Sequence, residues 1–189
     1  MKYDWPTELS LKDMREMIGL MNEVALKEMT LGFTEPLNDE DGLALMRAFD
    51  ADLRRGALEL LAVRTDDGEI VGMLTLARAP LPARRHVVDL RRCVIKPSHR
   101  GQLLLEGFGQ AVRRMAEMGC DVITLEVRDD GPKQLWHRLG FQEYGRLPDY
   151  ARKNGEPVTG HFMYASRVEL EEHFRLTGSW LHTPESVPA

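Results

Sequence analysis

Cysteine is scarce in this chain: Cys93 and Cys120 are the only two. Two thiols cannot build a disulfide framework, and no CxxC or CxxxH spacing offers a zinc site, so no metal centre is expected. A positive surplus is missing as well. Lys plus Arg is 25 against 30 Asp plus Glu, a formal net charge of −5 and a pI near 5.7. That balance argues against a nucleic-acid partner while leaving room for a local basic site for an anionic cofactor. No apolar run approaches the roughly 20 residues that span a bilayer. The opening MKYDWPTELS lacks the apolar centre of a secretory signal. These absences point to the cytoplasm, with no membrane partner. Repeats and low-complexity tracts are absent too. What is present is ordinary: 189 residues, 43% hydrophobic and 29% charged, enough for one soluble domain with its own core.

Periodicity sets the organisation. From Ser10, Leu11, Met14, Met17, Ile18, Met21, Val24 and Ala25 recur at helical spacing. Ser10 with Asp13 reads as an approximate capping box. This helix should end near Leu31 or Gly32. Asn38 caps a second helix that carries Leu43, Met46, Phe49 and Leu53 and ends at Gly56. LELLAVRT, DDG and EIVGMLTLAR form a hairpin. Then follow strand HVVDLRRCVI, helix LLLEGFGQAVRRMAEMG, strand DVITLEV, short helix KQLWHRLG, strand FQEYGRL, polar loop PDYARKNGEPVTG and final strand HFMYASRVEL. The order predicts an α/β fold, a mixed sheet with helices on its faces and a parallel strand–helix–strand unit from Val87 to Val127. Residues 1–170 form a single domain in this reading, and 171–189 form a fraying C-terminal tail. Gly107 and Gly109 should each cost their helix about 1 kcal/mol against alanine, in exchange for close packing.

The most informative junction is strand HVVDLRRCVI, turn KPSHRGQ and helix LLLEGFG. A strand that runs into a helix start aims unpaired backbone N–H groups at one point, and such a point attracts phosphate. Arg100 adds a cation, and Gly101 permits close backbone approach. An ordinary strand–helix connection with a surface arginine has the same features.

Together, VIKPSHRG, the helix after it, TLEV and WHRLGF resemble the GNAT superfamily of N-acetyltransferases, over about residues 9–170. Within it the pattern is most similar to the tabtoxin-resistance type, echoed in TLGF, ADLRRGALELLAV and YGRLPDY. The resemblance implies a central twisted mixed sheet with a splayed cofactor-binding strand pair. It implies acetyl-CoA as acyl donor and a primary amine of a small molecule, an antibiotic or a metabolite, as acceptor. A monomer or a homodimer would serve.

The family signature R/Q-x-x-G-x-G/A wraps the pyrophosphate. Arg100 matches its first position, and Gly101 and Gln102 fill the free ones. Leu103 and Leu105 stand where the family keeps small residues, with Leu104 between them. Their N–H groups remain available only if the leucine side chains turn away. The resemblance also gives backbone groups of Cys93, Val94 and Ile95 to the pantetheine arm, and it puts Trp136 and Arg138 beside the cofactor. Trp136 replaces the tyrosine that protonates the departing thiolate in the family, and tryptophan has no ionisable donor. The thiolate then leaves unassisted, or Tyr144, Tyr150 or His137 serves. These departures admit two other readings: a binding module that has kept the fold and lost transfer, or an enzyme for a different acyl-CoA.

Amine acetylation needs a base, because only the neutral amine attacks. Asp89 resembles in position the glutamate base of the histone-acetylating branch. By alternation it shares a face with Val87, Arg91, Cys93 and Ile95; a surface pair with Arg91 is its other reading. Glu126, near the C-terminal end of its strand, is the second candidate. Tyr150 and His161 flank the polar loop that should cover the acceptor, and Met29 and Phe33 should line its pocket. Cys93 reads as a small apolar residue rather than a nucleophile.

Overall fold

The computed structural model describes residues 1–28, 35–129 and 131–176. Ser10 caps helix α1 (Leu11–Glu28): its hydroxyl accepts from the Asp13 N–H at 3.1 Å and donates to the Asp13 carboxylate at 2.7 Å. Asn38 opens α2 (Asp39–Arg54), its side-chain oxygen accepting from the Asp41 N–H at 2.9 Å. Strands β2 (Leu58–Arg64) and β3 (Ile70–Arg78) form the expected hairpin. Next come β4 (Val87–Ile95), α3 (Gln102–Glu117) and β5 (Val122–Arg128), then α4 (Lys133–Arg138), β6 (Gln142–Lys153), β7 (Glu156–Ser166) and α5 (Arg167–Leu176). A three-residue strand that periodicity does not reveal, β1 (Lys2–Asp4), pairs with the edge of β2.

The sheet has seven strands in the order β1-β2-β3-β4-β5-β7-β6. Of the neighbouring strand pairs only β4 and β5 are parallel, and α3 supplies the crossover that a parallel pair needs. One face packs on α3, α4 and α5 through Phe108, Met115, Leu139 and Phe174; the other packs on α1 and α2 through Met17, Met21 and Met46. Both clusters are closed to water, which is what fixes the sheet between two helical layers. Among the described residues no helix is long and apolar enough to cross a membrane.

Three segments differ from the sequence reading. The polar loop is instead the end of a long hairpin. β6 continues to Lys153, and Asn154 and Gly155, at φ 54° and 85°, make the turn. An Asn-Gly pair favours this left-handed geometry, which matches the twist of the flanking strands. The last strand stops at Ser166, where a Ser-x-x-Glu box begins α5. The Ser166 hydroxyl donates to Glu169 at 2.7 Å and accepts from the Glu169 N–H at 3.2 Å. Leu170 and Phe174 of this helix are fully buried in the main core, so the domain runs past residue 170 and through Leu176. Finally, Gly107 and Gly109 are not needed for close packing. A Cβ at 107 would lie 3.9 Å from Leu61, and one at 109 would meet nothing within 4 Å.

Candidate active site

The site begins with a break in the sheet. Along β3, Thr75 opposes Arg92 and Leu76 opposes Leu90, so Arg91 is an extra residue in β4. Such a bulge bends and twists the strand that carries it. The β4–β5 ladder ends at the same place, with Leu90 opposite Leu125. Beyond it the two strands part, and a cleft of about 1920 Å³ opens between them.

The bulge also reverses which way β4 side chains point. Val88 and Leu90 face α3, and after the extra residue so do Cys93 and Ile95, while Val94 is buried against α1. Asp89 therefore does not share a face with Cys93 and Ile95, as simple alternation suggests; it shares one with Arg92 and Val94. Backbone direction follows from the ladder. Lys96 N–H donates to Val71 O at 2.8 Å, so Val94 also turns its backbone groups to β3. Cys93 and Ile95 present theirs to the gap. Of the three residues assigned to the pantetheine arm, two thus turn their backbone groups to the gap. Desolvation pushes the Cys93 thiol up to about 12, in keeping with an inert side chain.

At one mouth of the cleft Arg100 and Gly101 lead into α3. Gly101 caps the helix at φ 91°, ψ −108°, a backbone that side chains rarely tolerate. The Leu104 N–H bonds Gly101 O at 3.2 Å; the other first-turn N–H groups have no partner earlier in the helix. The side chain of Leu103 is buried in the core, 6% exposed, and Leu105 is 38% exposed. Leu104 and Leu105 line the cleft. One of the two unexpected leucines therefore turns away from it and the other does not. The Gln102 side chain lies outside what the structure describes. Across the mouth, Arg138 and Trp136 line the cleft. Trp136 packs edge-on against Phe108 and Phe141, at centroid distances of 5.9 and 5.4 Å. His137 turns aside, Nδ1 donating to Phe141 O at 3.1 Å.

At the other end of the cleft the sheet face toward α1 and α2 carries the candidate bases. Asp89 accepts a short hydrogen bond from the Thr124 hydroxyl and lies 3.7 Å from Arg91. Glu126, two residues along β5 on the same face, accepts from the Tyr150 hydroxyl at 2.6 Å. Burial, then the Glu126 hydrogen bond and charge, push the Tyr150 phenol up to about 12, with Arg92 and Arg128 pulling the other way. Tyr150 stands where β6 bulges between Leu147 and Ala151. Its ring leans over Gly160 of β7: a Cβ there would fall 2.3 Å from Tyr150 Cγ.

His161 goes elsewhere. It is 2% exposed and lies outside the cleft, on the opposite sheet face from Phe162 and Tyr150. Its Nδ1 meets Glu143 at 2.9 Å and Lys133 at 3.1 Å, and its Nε2 meets Asp129. Arg146 first, then Lys133 and His161, hold the Glu143 carboxyl down to about 2. This group ties α4 to the sheet. Met29 and Phe33 lie outside the described residues. Arg92, Thr124 and Gly160 were not singled out by sequence reasoning; only their place in the register brings them to the site, where Arg128 follows Glu126 along β5.

A parallel pair that splays beside a helix start defines a class of proteins that hold an extended, phosphate-tailed ligand between two strands. Residues 23–141 match the Acetyltransferase (GNAT) family, and the chain belongs to it. Over 106 residues it is 33% identical to the L-amino acid N-acetyltransferase AaaT of Escherichia coli (strain K12), a match covering 51% of this chain and 62% of that protein. The chain thus spans less than two thirds of that relative's length. Among solved structures it resembles a GNAT superfamily phosphinothricin acetyltransferase from Sinorhizobium meliloti in complex with AcCoA. The TM-score is 0.69 at 18% identity, covering 88% of this chain and 89% of that one. It also resembles spermidine N-acetyltransferase from Vibrio cholerae in complex with CoA and spermine, with a TM-score of 0.71 at 19% identity, covering 89% and 98%. At these identities the two structures speak for the fold.

Proposed function

We propose that this protein transfers the acetyl group of acetyl-CoA to a primary amine of a small molecule, by direct attack within a ternary complex in the cytoplasm. The observation that carries this reading is the split between β4 and β5, with open backbone groups and a helix start on one side and two carboxylates on the other. The residues present suit the donor. Arg100, Gly101 and the first N–H groups of α3 would hold its diphosphate, with Arg138 nearby, and Cys93 and Ile95 would pair with its extended arm. When bound, acetyl-CoA supplies an activated acyl carbon.

The chain's own groups then have separate tasks. Backbone N–H groups of the bulged strand polarise the thioester carbonyl. Asp89 or Glu126 takes the amine proton, directly or through one water. Thr124 fixes Asp89, and Tyr150 fixes Glu126. Tyr150 keeps its own proton across the neutral range, so its role here is a donor that orients Glu126. α4 has no phenol, so this helix would supply no proton to the departing thiol. Burial of Leu103 in the core weakens the case for a protein that has lost transfer.

Calorimetric titration with acetyl-CoA should give micromolar binding, and an amine panel read by thiol release should then give turnover. Asp89→Asn or Glu126→Gln, whichever removes the base, should lower kcat/KM at neutral pH by about a hundredfold. Unchanged turnover in both variants would remove the carboxylates from the mechanism, and absent binding at millimolar acetyl-CoA would remove the transferase.

A further inference from the structure

We infer that His161 is a positioning residue for the acetyl donor: its buried ring holds in place the cleft wall formed by α4 and the connection that leads into it from β5. This rests on the transferase reading above and deepens its donor half. Among the described residues, Thr75 and His161 are the polar side chains that the fold closes to water, at 1% and 2% exposed. His161 shares its sheet face with Met163 and Ala165, which belong to the main apolar core. A polar ring buried there is unfavourable unless hydrogen bonds satisfy it, and an apolar side chain would pack without that requirement. Packing alone therefore does not explain a histidine at this position.

The partners of the ring show what it does instead. Nε2 meets Asp129, the residue that follows β5, and Nδ1 meets Lys133, the first residue of α4, at 3.1 Å. One ring thus grips both ends of the connection between strand and helix. Nδ1 also lies 2.9 Å from Glu143 on β6, but a single nitrogen cannot accept from Lys133 and donate to Glu143 at once. With the proton on Nε2, the ring donates to Asp129 and accepts from Lys133, while the Lys133 ammonium also meets Glu143 at 3.1 Å. Each of the four side chains then has a partner. Backbone bonds draw the same connection tight: Asp129 N–H donates to Thr159 O, and Lys133 N–H to Gly131 O, each at 2.9 Å. Gly131 and Pro132 line the cleft, as do Leu135, Trp136 and Arg138 along α4. A helix of six residues has little stability of its own, so its aim depends on what holds it. Trp136 and Leu139 anchor its far half in the core; His161 anchors its first residue. An extended ligand gains affinity from walls that are in place before it arrives. Releasing this wall should loosen the donor and leave Asp89, Glu126 and Tyr150, on the opposite sheet face, where they are.

Calorimetric titration with acetyl-CoA reads this without turnover. His161→Leu, which keeps the bulk and loses both grips, should weaken acetyl-CoA binding about tenfold and raise its KM by a similar factor. At saturating acetyl-CoA, kcat and the KM of the best amine from the panel above should move less than about twofold. His161→Gln, whose amide can still donate toward Asp129, should recover part of the loss. Lys133→Met frees the helix end from the rim of the cluster and should act in the same direction, so the test stands even where the leucine variant fails to fold. Arg146→Gln is the control. Arg146 pairs with Glu143 from the exposed side and holds neither end of the connection, so acetyl-CoA affinity should stay within about twofold. A ring that serves stability alone would lower the urea midpoint of the variants and leave their acetyl-CoA affinity unchanged. That result, or a loss shared equally by acetyl-CoA and amine, would overturn the inference and leave acetyl transfer standing. Wild-type protein that binds no acetyl-CoA at millimolar concentration would instead overturn the transferase reading, and this inference with it.

Discussion

Replacing Gly160 by alanine tests how Tyr150 is seated, and the size of the effect follows from the structure. The new Cβ would lie 2.3 Å from Tyr150 Cγ and 2.7 Å from both its Cβ and Cδ2. These atoms are the root of the side chain, so no rotation of a flexible tip relieves the contact. Gly160 sits in a paired strand, opposite Arg128 on one side and Leu147 on the other, so the tyrosine must move. It then loses its hydrogen bond to Glu126 at 2.6 Å, worth about 1 kcal/mol at a partly exposed site. It also loses its perpendicular contact with Phe162, at 6.1 Å between centroids, worth about 0.5–1.5 kcal/mol. Alanine returns about 0.5–1 kcal/mol of backbone entropy. The net cost should be about 0.5–2 kcal/mol in the wild-type background. In a Tyr150→Ala background the clash is gone, and Gly160→Ala should be neutral or stabilising. Urea unfolding of the four proteins measures this coupling. Additive effects within about 0.5 kcal/mol would show that Gly160 does not seat the tyrosine. On the functional side, Gly160→Ala and Tyr150→Phe should lower acetyl transfer by similar factors, because both release Glu126.

The remaining expectations are simpler. Gly109→Ala should stabilise the protein by up to about 1 kcal/mol, since a helix interior favours alanine and a Cβ there meets nothing within 4 Å; a lower urea midpoint would contradict the open site. The Tyr150 phenol is raised from 10.0 to about 12, and Tyr3, half-buried beside Glu106, is raised as well. An acid held protonated by the fold contributes stability that is complete below pH 10 and is lost as pH rises from 10 toward 12, because the unfolded phenol ionises first. Tyr150→Phe should therefore flatten part of the alkaline fall in unfolding free energy, and an unchanged slope would refute the shift. Cys93, its thiol pushed up to about 12, should resist alkylation at mildly alkaline pH until the chain unfolds; rapid labelling of the native protein would show a reactive thiol.

Local chemistry alone determined much of this protein. Helical spacing from Leu11 to Ala25, the Ser10 and Asn38 caps, and the strand–turn–helix run from Val87 into α3 were legible because each depends on residues within a few positions of one another. The Asn154–Gly155 turn and the Ser166–Glu169 box were equally local and equally legible, although the polar stretch around the first and the apolar run before the second drew the reading elsewhere. Tertiary structure decided the rest. The extra residue at Arg91 reverses the facing of β4, and a bulge exists only relative to the partner strand, so counting by twos from Asp89 put Cys93 and Ile95 on its face when they lie on the other. Tyr150 reaches Glu126 because Gly160, on a third strand, lacks a side chain. His161 leaves the cleft because Asp129, Glu143 and Lys133, distant in sequence, close around its ring. Arg92 and Arg128 have the same origin: they are ordinary strand arginines until the register sets both on the sheet face of Tyr150.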